Sequence, residues 1–217
     1  MCGRYEFTSP KGNEFDFVQW PEIRPDLDIR PTNKAPVILL TEPGHYQVQL
    51  REWGFIRSWP GKSGKLVKKT LINAKSEEIT MKRSFKKAFA ENRCIIPMNA
   101  WFEWPEIAEI NDGLKTKVRI FMPGRPTFGA AGIYEDVIDK ETGEVSKRFS
   151  MLTVAPGANS PIKNLHARSP LVLPASDYDA WFSSTPDEMQ SLMHPYRDVQ
   201  AFDFEIVGNR KGSDILI

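Results

Sequence analysis

Apolar residues in this chain fall in short runs broken by polar and turn-forming residues. Such runs suit strands better than helices. Val37–Leu40, Tyr46–Trp53, Cys94–Ile96, Val118–Met122, Thr127–Tyr134, Phe149–Val154, Leu171–Leu173 and Phe202–Val207 are expected to be strands. Helical spacing is scarcer. Ser76–Ala90 sets Phe85 and Phe89 on one face and spreads Arg83, Lys86 and Lys87 round the rest of the turn. Asp177–Phe182 predicts a second helix with Ser176 as its N-cap, and Thr185-Pro186 opens a short third one ending at Met193. Gly124-Arg125-Pro126 and Asp139–Gly143 read as turns joining antiparallel hairpins. Many strands with few helices predict an α+β fold with a curved or barrel-like, mostly antiparallel β core. Only Pro60–Lys65 has the composition of a linker, and no repeat appears, so residues 1–217 are read as one domain.

Charge changes this picture locally. The net charge is +1, from 29 basic and 28 acidic residues, which excludes only a uniformly basic chain. Arg57–Arg93 nevertheless holds 11 basic residues and 3 acidic ones. One reading is a solvated lysine-rich loop, Lys62 to Lys69, followed by an exposed helix. The other is a phosphate-binding face. Trp53, Phe55 and Trp59 lie beside that stretch, and aromatics among cations suit single-stranded nucleic acid, although aromatics are more often core. No apolar run approaches the roughly 18 residues of a spanning helix, and the N-terminus lacks a secretory pattern. Two cysteines, Cys2 and Cys94, and three histidines show no metal-ligand spacing. A reduced, cytoplasmic protein without metal, cofactor or membrane is expected, with Cys94 buried and inert.

Four residues could carry chemistry. If Met1 is removed, Cys2 offers an α-amine with pKa near 7.7–8.0 and a thiol near 8.5 on adjacent carbons. Such an amine condenses with an aldehyde to an imine, and the thiol then closes a five-membered thiazolidine, which no internal cysteine can do. Against this stands an incidental cysteine on a frayed terminus. Glu103 sits among Trp101, Phe102 and Trp104; burial there would raise its pKa and fit it for acid–base work, whereas a solvent-facing glutamate is the commoner case. His166 lies in a polar segment with Arg168, ahead of a strand, while His45 looks like part of a turn and His194 like a cap. Asn73, at a strand end, could hold a substrate or the N-terminus by hydrogen bonds.

In register, the motifs resemble the SRAP family, the SOS-response-associated peptidase domain proteins. They are Met1-Cys2-Gly3-Arg4, Arg30-Pro31-Thr32 with Ala35-Pro36-Val37, Trp53-Gly54-Phe55, Asn73-Ala74-Lys75-Ser76-Glu77, Arg83-Ser84-Phe85-Lys86, Arg93-Cys94-Ile95-Ile96-Pro97, Trp101-Phe102-Glu103-Trp104, His166-Ala167-Arg168-Ser169-Pro170 and Val207-Gly208-Asn209. The resemblance implies binding of single-stranded DNA and capture of abasic sites as a thiazolidine cross-link on Cys2, with DNA lyase activity on the side. It implies that Asn73 holds the Cys2 terminus and the sugar, that Glu103 shuttles protons, and that His166 helps open the sugar ring. Arg4, Lys75 and Arg83 match phosphate contacts, with Arg168 grouped beside them, and Pro31 and Trp59 match the DNA wedge. The expected partner is single-stranded DNA containing abasic sites, met by a monomer. Departures from the family pattern are Leu27-Asp28 for Tyr-Asn, Lys75 for arginine, Ala167 within the His-x-Arg segment, and Trp59-Pro60 for a double aromatic. Two other readings stay open: a thiol peptidase using Cys2, His166 and Glu103, including self-processing after Met1, and a non-catalytic single-stranded DNA-binding module.

Overall fold

A computed structural model describes residues 2–12, 14–105 and 114–211. Its strands, in chain order, are β1 (Tyr5–Phe7), β2 (Asp26–Ile29), β3 (Lys34–Glu42), β4 (His45–Trp53), β5 (Phe55–Pro60), β6 (Leu66–Leu71), β7 (Asn73–Lys75), β8 (Arg93–Met98), β9 (Ala100–Glu103), β10 (Leu114–Phe121), β11 (Phe128–Ile138), β12 (Val145–Val154), β13 (Ser169–Pro170), β14 (Val172–Leu173) and β15 (Asp203–Lys211). Two short helices, α1 (Lys86–Glu91) and α2 (Tyr178–Ser183), accompany them.

Strands β3, β4, β12, β11 and β8 close a ring, antiparallel throughout except where β12 runs parallel to β4. The expected barrel-like, mostly antiparallel core is therefore present. Except along β4, most of its wall is buried on both sides. Val37 and Leu39 join one apolar cluster with Trp53, Tyr5 and Trp101, whereas Ile38 joins another with Phe85, Phe89 and Trp181. Successive residues of a strand point to opposite faces, so two covered faces give the unbroken apolar runs seen in the sequence. A second sheet, ordered β15-β10-β9-β1-β2, lies in contact through the first cluster. Gly129 on β11 lets α2 approach: a Cβ there would stand 2.5 Å from the Tyr178 hydroxyl, which accepts the Gly129 amide at 2.9 Å.

Several local expectations need correction. The helix over Ser76–Ala90 is broken into a 3₁₀ turn (Ser76–Glu78), further turns, and α1. Ile79 and Phe85 are both buried, yet six residues of helix would set them about 120° apart, so the chain must bend to bury both. Ser176 caps nothing: its hydroxyl bonds the Asp177 carboxylate at 3.0 Å, and α2 starts at Tyr178. Thr185 does form a reciprocal cap with Glu188, but the helix it opens is a single 3₁₀ turn, Glu188–Ser191. Asp139–Gly143 is a hairpin turn between β11 and β12 as expected, whereas Gly124-Arg125-Pro126 carries the chain from the second sheet into the ring. Pro60–Lys65 is neither linker nor open loop. It is the turn of the β5–β6 hairpin, closed by Gly61 N–H to Lys65 carbonyl at 2.8 Å.

Candidate functional site

The N-terminal segment enters the second sheet between β9 and β2. Tyr5 faces Trp101 and Glu6 faces Ala100, and Phe102 N–H bonds the Arg4 carbonyl at 2.9 Å. This antiparallel pairing brings Cys2 to the Glu103 end of β9. Cys2 is fully buried and its thiol donates to the Arg4 carbonyl at 3.7 Å. The frayed terminus is thus excluded for this residue. Parallel pairing of β7 with β12 sets Asn73 opposite Met151, and Asn73 Nδ2 donates to the Cys2 carbonyl at 2.7 Å. His166 arrives in the loop before β13, its Nδ1 3.0 Å from both the amide nitrogen and the carbonyl oxygen of Arg168. That nitrogen stands 4.0 Å from Glu103 Oε1. Four segments distant in sequence therefore converge on Cys2.

The electrostatics follow from burial. Every residue of β9 is buried, Glu103 included. Burial pushes its carboxyl from an ordinary 4.5 up to about 7, and Oε1 has no hydrogen-bond partner among the described residues. Asn73 Oδ1 is likewise buried without one. Burial, then the charge of Glu103, holds the Cys2 thiol well above its usual range. Burial lowers the His166 pKa, so the imidazole is neutral at pH 7. The result is a protonated thiol beside a carboxyl that can change state near neutrality. Two buried polar atoms stand unsatisfied there, the kind of vacancy a polar substrate fills. No group of three or more His, Cys, Asp or Glu among the described residues could hold a metal.

The expected DNA contacts fall into two sets. Arg4 sits next to the site, its guanidinium 5.2 Å from the Trp104 ring centroid and 3.6 Å from Asp28 Oδ1. Lys75, two residues beyond Asn73, is exposed and 3.5 Å from Glu78. Pro31 lies in the turn after β2, where Thr32 takes φ +70°, a left-handed conformation unfavourable for a β-branched residue. Thr32 N–H to Trp53 carbonyl at 2.8 Å and Arg30 N–H to Asn33 Oδ1 at 2.8 Å hold that turn. Arg83, in the turn before α1, is exposed, and Trp59, 43% exposed, stands on the β5–β6 hairpin; both lie on segments other than those that carry Cys2, Asn73, Glu103 and His166. Arg57 ties hairpin and turn together through Glu135 and the Ser84 carbonyl. Arg168 differs from these. Its guanidinium is forked on Glu77 at 2.7 and 2.8 Å, also bonds the Thr153 carbonyl, and is largely buried. In this arrangement it fastens the His166 loop to the segment after β7.

The SRAP family, described as SOS response associated peptidase, matches residues 1–211. The chain belongs to the SRAP family. Among curated SRAP relatives, the abasic site processing protein YoaM of Bacillus subtilis is 29% identical over 96% of this chain and 93% of its own. The abasic site processing protein YoqW of the same organism is 28% identical over 96% and 94%. Among solved structures, a protein from Bordetella bronchiseptica superposes with a TM-score of 0.77 at 21% identity, covering 95% of this chain and all (100%) of that one. One from Bacteroides thetaiotaomicron gives 0.76 at 22% identity, covering 95% and 92%. These two show the fold.

Sequence reasoning passed over three participants in this SRAP site. Trp104 was taken only as part of the aromatic wall round Glu103, yet it stacks under Arg4. Glu77 shows in the sequence only as the end of a motif and Asp28 only as a departure from the family pattern; pairing geometry reveals that they hold Arg168 and Arg4.

Proposed function

We propose that this protein captures abasic sites in single-stranded DNA through Cys2, after removal of Met1 turns the Cys2 nitrogen into a free amine. The observation that carries the proposal is the anchoring of Cys2 by Asn73 at 2.7 Å beside a buried Glu103 whose Oε1 has no hydrogen-bond partner among the described residues. The amine attacks the C1′ aldehyde of the ring-opened sugar and water leaves, giving an imine. The thiol adds to the carbon of the protonated imine and releases its proton, closing the thiazolidine. Glu103, titrating near neutrality, delivers the proton that expels water and then takes the one the thiol releases. His166, a neutral imidazole, hydrogen-bonds the sugar ring oxygen as the ring opens. The names of the Bacillus relatives support the substrate class. A thiol held protonated supports amine-first chemistry over a peptidase mechanism, which depends on a low-pKa thiolate. The same imine permits β-elimination of the 3′ phosphate, so strand cleavage is a side reaction of this proposal. Lys75, Arg83 and Arg4 are assigned to backbone phosphates, Pro31 and Trp59 to the bases.

The test is a denaturing gel of the protein with single-stranded DNA bearing one abasic site, followed by intact mass. An adduct weighing protein without Met1 plus oligonucleotide less one water is expected, and none from Cys2→Ala. Full cross-linking by Cys2→Ala, or Cys2-dependent peptide turnover without DNA capture, would overturn the reading.

A further inference from the structure

Asp28 stands where a DNA-capturing site should least tolerate an anion. It projects from β2, one strand away from the segment that carries Cys2. One carboxylate oxygen lies 3.6 Å from Arg4 and is itself buried without a hydrogen bond. The other accepts Arg30 Nε at 2.9 Å and also Arg30 Nη2. A single carboxylate thus engages two guanidiniums, Arg4 beside Cys2 and Arg30 just past β2, leaving +1 where two cations would otherwise offer +2. Arg4 cannot swing away cheaply, because its guanidinium is also stacked on Trp104. A phosphate that reaches Arg4 must come within several ångströms of Asp28, inside the Debye length of about 8 Å at physiological salt.

We infer that Asp28 is a specificity-determining residue: an electrostatic brake that weakens the noncovalent hold on intact single-stranded DNA, so that retention depends on the covalent step. This rests on the DNA reading above and adds the discrimination between lesion and undamaged strand. Undamaged strand meets the brake and leaves. Strand with an aldehyde is held by the bond to Cys2 whatever Asp28 does.

The experiment is fluorescence anisotropy of the full chain with an oligonucleotide lacking any abasic site, across a salt series. Asp28→Asn keeps the side-chain shape and removes the charge. It is expected to bind about tenfold more tightly at low salt, the gain vanishing near 1 M. Freeing one or two cations for phosphate should steepen the plot of log K against log salt by about 0.7–1.4 for a single strand. In an Arg4→Gln, Arg30→Gln background the gain from Asp28→Asn should disappear, which separates a charge effect from a change in fold. Equal or weaker binding by Asp28→Asn overturns the inference, the latter showing that Asp28 instead organises the arginines. Absence of any binding by every variant overturns it too, together with the DNA reading. Absence of an adduct with abasic DNA, with the brake still visible on intact DNA, overturns only the cross-linking chemistry.

Discussion

Replacing Glu103 by Gln separates what the site does from what it costs the fold. Glu103 has an ordinary pKa of 4.5 once unfolded and about 7 when buried. Below pH 4.5 the carboxyl is neutral in both states, and burial carries no charge penalty. As pH rises from 4.5 toward 7 the unfolded chain releases its proton first, and stability falls. Above 7 the penalty is complete. At 1.36 kcal/mol for each pKa unit it amounts to about 3 kcal/mol, a large share of the roughly 5–15 kcal/mol that holds a typical protein folded.

A glutamine of the same shape carries no such penalty. The difference between Glu103→Gln and the parent chain is therefore expected to grow from its pH 4.5 value by about 3 kcal/mol at pH 8. At 2–4 °C per kcal/mol this gives the variant a gain of about 6–12 °C in Tm between those conditions. Thermal or urea melts of both proteins at pH 4.5, 6 and 8 supply the measurement. Cross-linking should move the other way, slowing about 10²–10⁴-fold with loss of the limb near pH 7 in the pH–rate profile. A stability offset that stays constant with pH would refute the burial argument. A normal rate in a stabilised variant would leave Glu103 buried but without a part in proton transfer.

Other outcomes follow from the same geometry. Asn73→Ala removes the bond to the Cys2 carbonyl; adduct formation should slow at least tenfold in single-turnover gels while the melt moves by only about 1 kcal/mol. Gly129→Ala would drive a Cβ against the Tyr178 hydroxyl and Ile95, lowering stability in urea titration by about 1–3 kcal/mol. Arg83→Ala and Lys75→Ala should each flatten the salt dependence of single-stranded DNA binding by about 0.7 without abolishing the adduct at low salt. Arg168→Ala, by contrast, should leave that salt slope unchanged and slow adduct formation, because its fork holds Glu77 and the His166 loop rather than facing outward.

The barrel was readable in the sequence because most of its wall is apolar on both faces, so β3, β8, β11 and β12 announce themselves as apolar runs, whereas β4 alternates. Very short strands escaped for the converse reason. Tyr5–Phe7 and Asn73–Lys75 are three residues each, too short to show a period, and their conformation is fixed by the ladders they join. Strand β6 escaped because Lys68 and Lys69 face solvent and mimic a loop. The Ser76–Ala90 helix failed where a local period competed with burial of Ile79, and burial prevailed. Cys2, Asn73, Glu103 and His166 were legible one by one from chemistry and resemblance. Their convergence was not, since it depends on β1 pairing with β9 and β7 pairing with β12.

Those two pairings also explain why the candidate site can hold an unfavourable buried carboxylate. Glu103 ends a strand whose neighbours are β1 on one side and β10 on the other, so it cannot turn to water without breaking ladder bonds on both. Cys2 is held in turn by Asn73 from the other sheet. Relief of one unsatisfied atom would require separating the two sheets, which share Trp53, Tyr5 and Trp101 in one apolar cluster. Burying a large aromatic contributes roughly 1.5–3 kcal/mol or more, so the three together exceed the cost at Glu103. The raised carboxyl pKa is thus maintained by the same side chains that close the core. A Trp101→Ala variant should consequently lose the raised Glu103 pKa before it unfolds, seen as a downward shift of the pH–rate limb in protein that still melts cooperatively. An unshifted limb in that variant would mean that the packing between the sheets does not set the carboxyl's environment.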